Sequence, residues 1–258
     1  MKQTALSVNL NKIALLRNSR PGNYPDVVVH GEICLDAGAD GLTLHPRPDQ
    51  RHVRPGDVYA IAELVRDRKG IELNIEGNPF AEISGSFPGF MKLVHDTLPD
   101  QCTLVPDAND QLTSDHGFDL KTAGKKLRPI IEELQDIGVR VSLFMDPDIE
   151  QVQLAKEIGA DRIELYTGPY ALAFKDRDEI FDQLFEHYRA AAECAQAINL
   201  GLNAGHDLNL DNLGYFRRVP ELLEVSIGHA LTVDALQMGL ANAVGAYKAL
   251  CTQAPADA

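Results

Sequence analysis

Short apolar runs recur along the chain at regular intervals. Each has four to eight residues rich in Leu, Val and Ile, which is typical of strands buried on both faces. The runs lie at residues 5–10, 41–46, 71–76, 102–107, 139–145, 162–168, 200–206 and 222–229. The pattern therefore predicts eight buried strands.

Helical patterns fill the intervals between these runs. Four of them end at a glycine, as helices commonly do, and lie at 25–38, 57–70, 125–138 and 148–161. A longer pattern covers about 178–199, and a last one covers about 232–251. Strands that alternate with helices form parallel sheets, and eight such units in a chain of 258 residues fit an α/β fold of the (β/α)8 TIM barrel type. We expect one barrel domain over residues 1–258, with an open doubly wound sheet as the alternative.

Composition limits the partners and the location that we expect. The formal net charge is −14, which argues against nucleic acid or an anionic membrane as a partner. The four cysteines are far apart and form neither a CxxC pair nor a zinc-binding pattern. No apolar stretch approaches the length of a membrane span, and no signal-type segment is evident. The sequence thus predicts a cytoplasmic protein with free thiols.

Polar residues recur at and near the ends of the predicted strands. They are Asn9, Asn11, His45, Arg47, Glu72, Glu76, Thr103, Asp107, Glu164, Thr167, Asn203, His206, Ser226, Gly228 and His229. In a barrel of this class the carboxyl ends of the strands meet at one mouth, where active sites are built. We therefore expect a shared site there, although any single strand carboxylate has an ordinary structural explanation as an ion-pair partner.

Two features predict phosphate binding. Glycine–histidine pairs at 205–206 and 228–229 follow the seventh and eighth predicted strands, where backbone N–H groups bind phosphate in many barrels. The stretch GLTLHPRPDQRH, residues 41–52, places Arg47 and His52 on a proline-stiffened loop. Arginine offers a two-pronged donor to phosphate oxygens, and histidine adds a further donor.

A metal site is the competing interpretation of the same side chains. Zinc and manganese both accept imidazole and carboxylate ligands. The candidates are His45, His52, His206, His229, Glu72 and Glu164. No HxH or HExxH spacing supports a metal, but the donors lie on different elements, so spacing alone leaves this alternative open.

Several long motifs resemble one family, the pyridoxine 5′-phosphate synthases of deoxyxylulose-dependent vitamin B6 synthesis. The motifs are SVNLNKIALLRNSR, AGADGLTLHPRPDQRHV, LVPD, VSLFMD, GADRIELYTGPYA, LGLNAGHDL and SIGHAL, and they span nearly the whole chain. The resemblance implies a TIM barrel with additional helices, assembled as a homo-octamer. It implies no metal and no organic cofactor.

The resemblance also implies a reaction. It joins 1-deoxy-D-xylulose 5-phosphate to 3-amino-2-oxopropyl phosphate and releases pyridoxine 5′-phosphate, inorganic phosphate and water. Condensation, elimination, ring closure and aromatisation all move protons, which requires general acid–base groups. By motif, His45 and Glu72 correspond to proton acceptors and His206 to a proton donor. Glu164 corresponds to a group that stabilises a charged transition state or intermediate.

Ten further positions match substrate contacts of the family. Those matched to the aminoketone phosphate are Asn9, Arg20, Asp207, Gly228 and His229. Those matched to the deoxyxylulose phosphate are Asn11, Lys12, Arg47, His52 and Thr113. Arg51 matches no such contact and is interpreted as a surface charge or a subunit contact.

The chain departs from the family pattern at three of these positions. Asn11 and Lys12 stand where Asp and His are usual, and Asp207 stands where Gly is usual. A carboxylate beside a phosphate is unfavourable unless it points away, so Asp207 puts the binding geometry in doubt. The segment at 77–90 is also longer than in many members.

Two other functions remain open at this point. One is an isomerase or aldolase that acts on another phosphorylated sugar. A Schiff-base aldolase needs a strand lysine, whereas Lys12 lies just past the first predicted strand. The other is a phosphometabolite-binding protein that has lost activity, as the change at Asn11 and Lys12 would permit.

Overall fold

The computed structural model describes residues 3–175 and 179–253. Its parallel strands close into a barrel of eight in sequence order. They are β1 Ala5–Asn9, β2 Gly41–Leu44, β3 Glu72–Gly77, β4 Gln101–Leu104, β5 Arg140–Met145, β6 Arg162–Tyr166, β7 Gly201–Gly205 and β8 Leu222–Ile227. Each predicted run contains one of these strands almost entirely, so the prediction of a (β/α)8 barrel is confirmed.

Helices surround the barrel within the described residues. They are α1 Asn11–Asn18, α2 Val27–Asp36, α3 Pro55–Val65, α4 Phe90–Thr97, α5 Leu120–Asp136, α6 Ile149–Glu157, α7 Gly168–Ala173, α8 Glu179–Ala197, α9 Leu213–Phe216, α10 His229–Met238 and α11 Leu240–Thr252. Short helices such as α1 and α7 are the additional ones that the resemblance implied. The predicted start of one helix at residue 178 lies outside the described residues.

The last predicted helix is two helices. Gly239 separates α10 from α11 and has a φ of +80°, a left-handed conformation that glycine adopts without a steric penalty. The apolar pattern at 232–251 continues across this break, which is why it predicted one element. The correction matters for the site, because α10 begins directly after β8 and places its first turn at the carboxyl mouth.

The strands bury apolar side chains against the helices and carry polar ones inside the barrel. Leu42 lies against α2, since its side chain is 3.1 Å from the position that a Cβ of Gly31 would take. Its neighbour Thr43 instead exchanges a 2.7 Å hydrogen bond with Ser7 across the barrel interior. Alternation along each strand therefore separates an apolar outer layer from a hydrogen-bonded interior.

The two ends of the described chain meet at the amino-terminal side of the barrel. The backbone N–H of Thr4 donates to the carbonyl of Cys251 at 3.3 Å, and α11 packs on β1 and α2. The described residues thus enclose one barrel, and a single domain over 1–258 stays a prediction. Within the described ranges, none of the helices has the length and apolar character to span a bilayer.

Candidate active site

The carboxyl ends of the strands bring most of the predicted residues to one mouth. β1 ends at Asn9, and His45 follows the end of β2. The inward-facing polar groups of this mouth include Asn9, His45, Glu76, Asp107, Glu164, His206 and Gly228. Burial is nearly complete for several of them, so their charges act in a medium of low polarity.

His45 lies between two carboxyl groups. Its Nδ1 is 3.8 Å from an oxygen of Glu76, and its Nε2 is 3.8 Å from an oxygen of Asp107. The side-chain amide of Asn9 donates to the same Glu76 oxygen at 3.3 Å. These contacts join the ends of β1, β2, β3 and β4 into one polar cluster.

The protonation states of this cluster suit proton transfer. Burial raises the pKa of Glu76 from 4.5 to about 8; a hydrogen bond from Ser226 opposes the shift, and the Asp107 carboxyl adds to it. Burial and the positive charge of Arg47 hold the pKa of His45 well below its ordinary value. At neutral pH the histidine is therefore uncharged and able to accept a proton, while Glu76 largely retains one.

Glu164 lies on β6, deep in the same mouth. Its Oε2 is buried and has no hydrogen-bond partner among the described residues. Burial and the neighbouring carboxyl of Glu76 raise the pKa of Glu164 well above its ordinary value. The other oxygen is 2.4 Å from the position that a Cβ of Gly205 would take, so glycine is required on the adjacent strand. A cationic intermediate placed here would favour ionisation of this carboxyl.

Glu72, which the resemblance matches to a proton acceptor, does not lie at this mouth. It begins β3 and pairs in register with Gly41 at the start of β2. Its carboxylate bonds to the guanidinium of Arg140 on β5. Glu72 also lines a cavity of about 310 Å³ at the amino-terminal mouth, together with Arg162 and Glu224.

Glu76 is the carboxyl group of β3 that lies at the carboxyl mouth of the barrel. It lies four residues after Glu72, and alternate residues of a strand face the same side, so both face inward at opposite ends. Both residues stand out in the sequence as strand carboxylates, and of the two only Glu76 lies at the carboxyl mouth. The available signal was position, because catalytic groups belong at the carboxyl end of a barrel strand.

Arg47 is buried and engaged within the protein. Its guanidinium bonds to Asp107, and it donates to the carbonyl of Gln111 at 3.0 Å. Asp107 also accepts from the hydroxyl of Ser114 at 2.7 Å. Its second oxygen is buried and has no partner among the described residues. The sequence identifies Asp107 only as a polar residue after a strand. The structure shows that its carboxylate orients the guanidinium of Arg47.

Residues 107–117, which we call the mouth segment, join β4 to α5. Arg51 donates to its carbonyls of Asn109, Gln111 and Leu112 at 3.0, 2.9 and 3.2 Å. The interpretation of Arg51 as a surface charge is incomplete, because the guanidinium ties one loop of the mouth to another.

His206 meets the mouth segment from β7. Its Nε2 is 2.9 Å from the hydroxyl of Thr113, and its ring lies edge-on to Tyr166 with 5.3 Å between the ring centres. Its Nδ1 is 3.0 Å from a carboxylate oxygen of Asp207, out of line for a hydrogen bond. Asp207 thus contacts the predicted proton donor. The polar contact with the His206 ring contributes most to lowering the pKa of Asp207, and the charges of His206, His229 and Lys12 add to it.

His52 is positioned by α1. Arg17 is buried, pairs with Asp57 and donates to the carbonyl of His52 at 3.1 Å. The Nδ1 of His52 accepts from the backbone N–H of Val53 at 2.9 Å. Burial, then the charges of Arg47 and Lys12, lower the pKa of His52 to about 3, so the ring is neutral. Its single proton therefore resides on Nε2, which is free to donate to a ligand.

Asn11 supports His45 through the backbone. Its Oδ1 accepts from the backbone N–H of His45 at 2.9 Å, and its own N–H donates to Oδ1 of Asn9 at 2.9 Å. Gly228 caps α10 directly beside Asn9, where a Cβ would lie 3.1 Å from that side chain. These contacts leave little room at the ends of β1 and β8.

Two predicted residues lie at the edge of the cluster or away from it. His229 begins α10 and is exposed. Arg20 follows α1, is exposed, and its guanidinium makes no hydrogen bond or ion pair with any described residue. Within 3–175 and 179–253, no group of three or more His, Cys, Asp or Glu side chains is arranged to hold a metal ion.

Comparison with known proteins identifies the family. The model of the family described as pyridoxal phosphate biosynthesis protein PdxJ matches residues 6–253. The chain belongs to this family. A protein of Xanthomonas campestris named pyridoxine 5′-phosphate synthase is 52% identical to this chain, over 96% of this chain and 96% of its own. The similarly named protein of Xylella fastidiosa is 51% identical, over 95% of this chain and 94% of its own.

Solved structures outside this family share the fold alone. Thiamine phosphate pyrophosphorylase from Pyrococcus furiosus matches with a TM-score of 0.59 at 11% identity, over 96% of this chain and 95% of its own. A structure described as native KDPGal matches with a TM-score of 0.58 at 13% identity, over 97% of each chain. At this identity the likeness concerns the barrel and carries nothing about the chemistry of the mouth.

Proposed function

We propose that the chain condenses 1-deoxy-D-xylulose 5-phosphate with 3-amino-2-oxopropyl phosphate to form pyridoxine 5′-phosphate, inorganic phosphate and water. Membership of the family over residues 6–253 carries this proposal. The curated relatives that bear the name of this activity are 51–53% identical over nearly their whole length. The polar mouth supports the proposal, because every step of such a condensation moves protons.

His45 and Glu76 are the proposed acid–base pair. The neutral imidazole of His45 removes protons from the carbon framework, and Glu76, 3.8 Å away, relays or returns them. Because burial raises the pKa of Glu76 to about 8, this group changes protonation at low cost near the working pH. The role first assigned to Glu72 is thus proposed for Glu76.

Glu164 and His206 serve the charged stages. Glu164 is proposed to stabilise the cationic imine-type species that forms when the amine meets the ketone. Its unpartnered oxygen supports this role, because a cation would supply the missing partner. His206 is proposed as the proton donor to the leaving group, with Thr113 fixing its ring at 2.9 Å.

The two phosphates are proposed to bind on different sides of the mouth. Arg47, His52, Asn11, Lys12 and Thr113 form the subsite for the deoxyxylulose phosphate. Asn9, Arg20, Asp207, Gly228 and His229 form the subsite for the aminoketone phosphate. The first turn of α10 supports the second subsite, because the N–H groups that open a helix bind anions.

The reaction is proposed to use no metal or organic cofactor. The chain is proposed to work in the cytoplasm as a homo-octamer, without nucleic acid or membrane as a partner. Its net charge of −14 supports the latter point. Light scattering that gives eight times the chain mass of 28.3 kDa supports the octamer, and a monomer overturns it.

A two-substrate assay tests the proposed function. The protein is incubated with both phosphates in the presence of a chelator, and pyridoxine 5′-phosphate and released phosphate are measured together. We expect equal amounts of both products and none when either substrate is omitted. Folded protein that yields no product overturns the proposal. Borohydride that traps a substrate on a lysine would instead indicate a Schiff-base aldolase.

A further inference from the structure

Arg51 binds the mouth segment through its backbone. Its guanidinium donates three hydrogen bonds to the carbonyls of Asn109, Gln111 and Leu112, at 2.9–3.2 Å. Bonds to carbonyls do not depend on which side chains the segment carries. They fix its path, and a charged donor makes them stronger than neutral hydrogen bonds.

Apart from Arg51, the mouth segment is held at its two ends, by the bond from Arg47 to the Gln111 carbonyl, and by the buried Ser114, which donates to Asp107. At the start, Asp107 bonds to Arg47, and its carbonyl accepts from Asn78 at 2.9 Å. At the end, Gly117 packs so closely on β5 that a Cβ would lie 2.4 Å from the backbone of Asp146. Between these points Leu112 and Thr113 are exposed, so burial does little to hold them.

Hydrogen bonds also hold the backbone and the side chain of Arg51 in place. Asn18 at the end of α1 donates to the carbonyls of Gln50, Arg51 and His52 at 3.1, 3.1 and 2.8 Å. Asp49 accepts from Nε of Arg51 at 2.7 Å and orients the guanidinium. The arginine is therefore fixed in backbone and side chain, as a positioning group must be.

We propose that Arg51 is a positioning residue of the reaction, which holds the mouth segment so that Thr113 meets His206. The inference rests on the proposed function. Arg51 contacts no reacting atom in this proposal and acts through the segment alone. Its effect reaches His206 through the 2.9 Å contact between the Thr113 hydroxyl and Nε2.

Arg47 and Arg51 have different roles at the mouth segment in this proposal. Both donate to the carbonyl of Gln111, at 3.0 and 2.9 Å. A substrate phosphate that recruits Arg47 takes donors away from Gln111. Arg51 then remains to hold the segment, and its guanidinium need not move when the substrate binds.

The test combines amide hydrogen exchange with steady-state kinetics on the full chain. For Arg51→Ala we expect at least about tenfold faster exchange at the amides of 108–113 and unchanged exchange in the barrel strands. We expect kcat to fall about tenfold, since a loss of about 1.4 kcal/mol corresponds to that factor. Arg66→Ala is the matched control, because it removes an equal charge from an exposed pair on α3.

A double variant separates positioning from general destabilisation. If Arg51 acts through Thr113, then Arg51→Ala lowers kcat much less in a Thr113→Val background than in the unmutated chain. Additive losses in the double variant overturn the proposal. Unchanged exchange in the mouth segment overturns it as well, and so does exchange that rises equally throughout the barrel.

The outcome for the proposed function is distinguishable from the outcome for Arg51. If the unmutated chain makes no pyridoxine 5′-phosphate, the proposed function fails. Exchange in Arg51→Ala still decides whether this residue holds the segment. If the unmutated chain is active and Arg51→Ala retains its kcat, only the inference about Arg51 fails.

Discussion

The two mouths of the barrel contain carboxyl groups in opposite settings. At the amino-terminal mouth, Glu72 is paired with Arg140, and Glu224 lies 3.3 Å from Arg162. At the carboxyl mouth, Glu76 and Glu164 are buried, and neither pairs with an arginine or lysine in the described part of the chain. Glutamate thus has different partners at the two ends, and β3 carries one residue of each kind, Glu72 and Glu76.

The difference shows how partners separate structural from chemical carboxylates. A guanidinium beside a buried carboxyl opposes the rise in pKa that burial causes, as Arg162 does at Glu224. A buried carboxyl without a cation keeps its proton to a higher pH, which suits it to exchange that proton during a reaction. Residue type alone does not separate Glu72 from Glu76, whereas their positions along β3 and their partners do.

The most direct test of this difference between the two mouths is to replace each glutamate of β3 in turn with glutamine. We expect Glu76→Gln to lower kcat by about 10³-fold, in the range of lost general acid–base groups, since glutamine cannot exchange a proton. Glu72→Gln serves as the control and should keep kcat within about threefold. The measurement is product formation under saturating substrates. A large loss in the Glu72 variant with little loss in the Glu76 variant would reverse our assignment of the two residues.

The same Glu76→Gln variant should change how stability depends on pH. The folded pKa of Glu76 is about 8 against an ordinary 4.5, so the group favours folding fully below pH 4.5. That contribution is lost as the pH rises through about 8. Relative to the variant, the unmutated chain should thus lose on the order of a few kcal/mol between these values.

Denaturant unfolding of both proteins from pH 5 to pH 9 measures this difference. We expect the variant to gain relative stability with rising pH, although it is the inactive one. Parallel curves over the whole range would mean that Glu76 ionises freely in the folded chain.

A smaller effect is expected at Asp107. Asp107→Asn keeps a hydrogen-bond acceptor for Arg47 and Ser114 but removes the charge that orients the guanidinium. We expect KM for the deoxyxylulose phosphate to rise about tenfold, which corresponds to about 1.4 kcal/mol. Asp115→Asn, an exposed residue of the same segment, is the matched control. If both variants raise KM equally, the loss of charge in the segment is sufficient and Asp107 has no special role.

The smallest effect is expected at Asp207. Its carboxylate interacts with His206, His229 and Lys12, groups that we assign to phosphate binding and catalysis. Asp207→Gly frees these groups, so KM for the aminoketone phosphate should fall about threefold, or about 0.7 kcal/mol. Glycine also suits the φ of +58° at this position. Asp207→Ala also removes the carboxylate, but alanine does not suit a positive φ as glycine does. It should therefore show the fall in KM without relief of backbone strain.

The fold was predictable because its signals are local and repeated. Runs such as 139–145 and helix-ending glycines such as Gly138 recur often enough that one misread element does not change the architecture. The break between α10 and α11 at Gly239 was not predicted. It depends on the backbone angle of one residue, and a pattern of apolar positions does not indicate such an angle.

The site was predictable only in part. His45, Glu164 and His206 lie at the carboxyl mouth, whereas Arg20 is exposed and its guanidinium pairs with no described residue. The role of Arg51 depends on contacts with residues about 60 positions away, as in the bond to Gln111. Such contacts are set by how loops meet over the barrel, and no local pattern encodes them.

Asn11 shows which atom this position must supply. Its Oδ1 accepts the backbone N–H of His45 at 2.9 Å. An aspartate at this position also has an oxygen of the same reach, so an exchange of the two residues would conserve the acceptor. Position 11 can therefore change its charge without withdrawing support from His45.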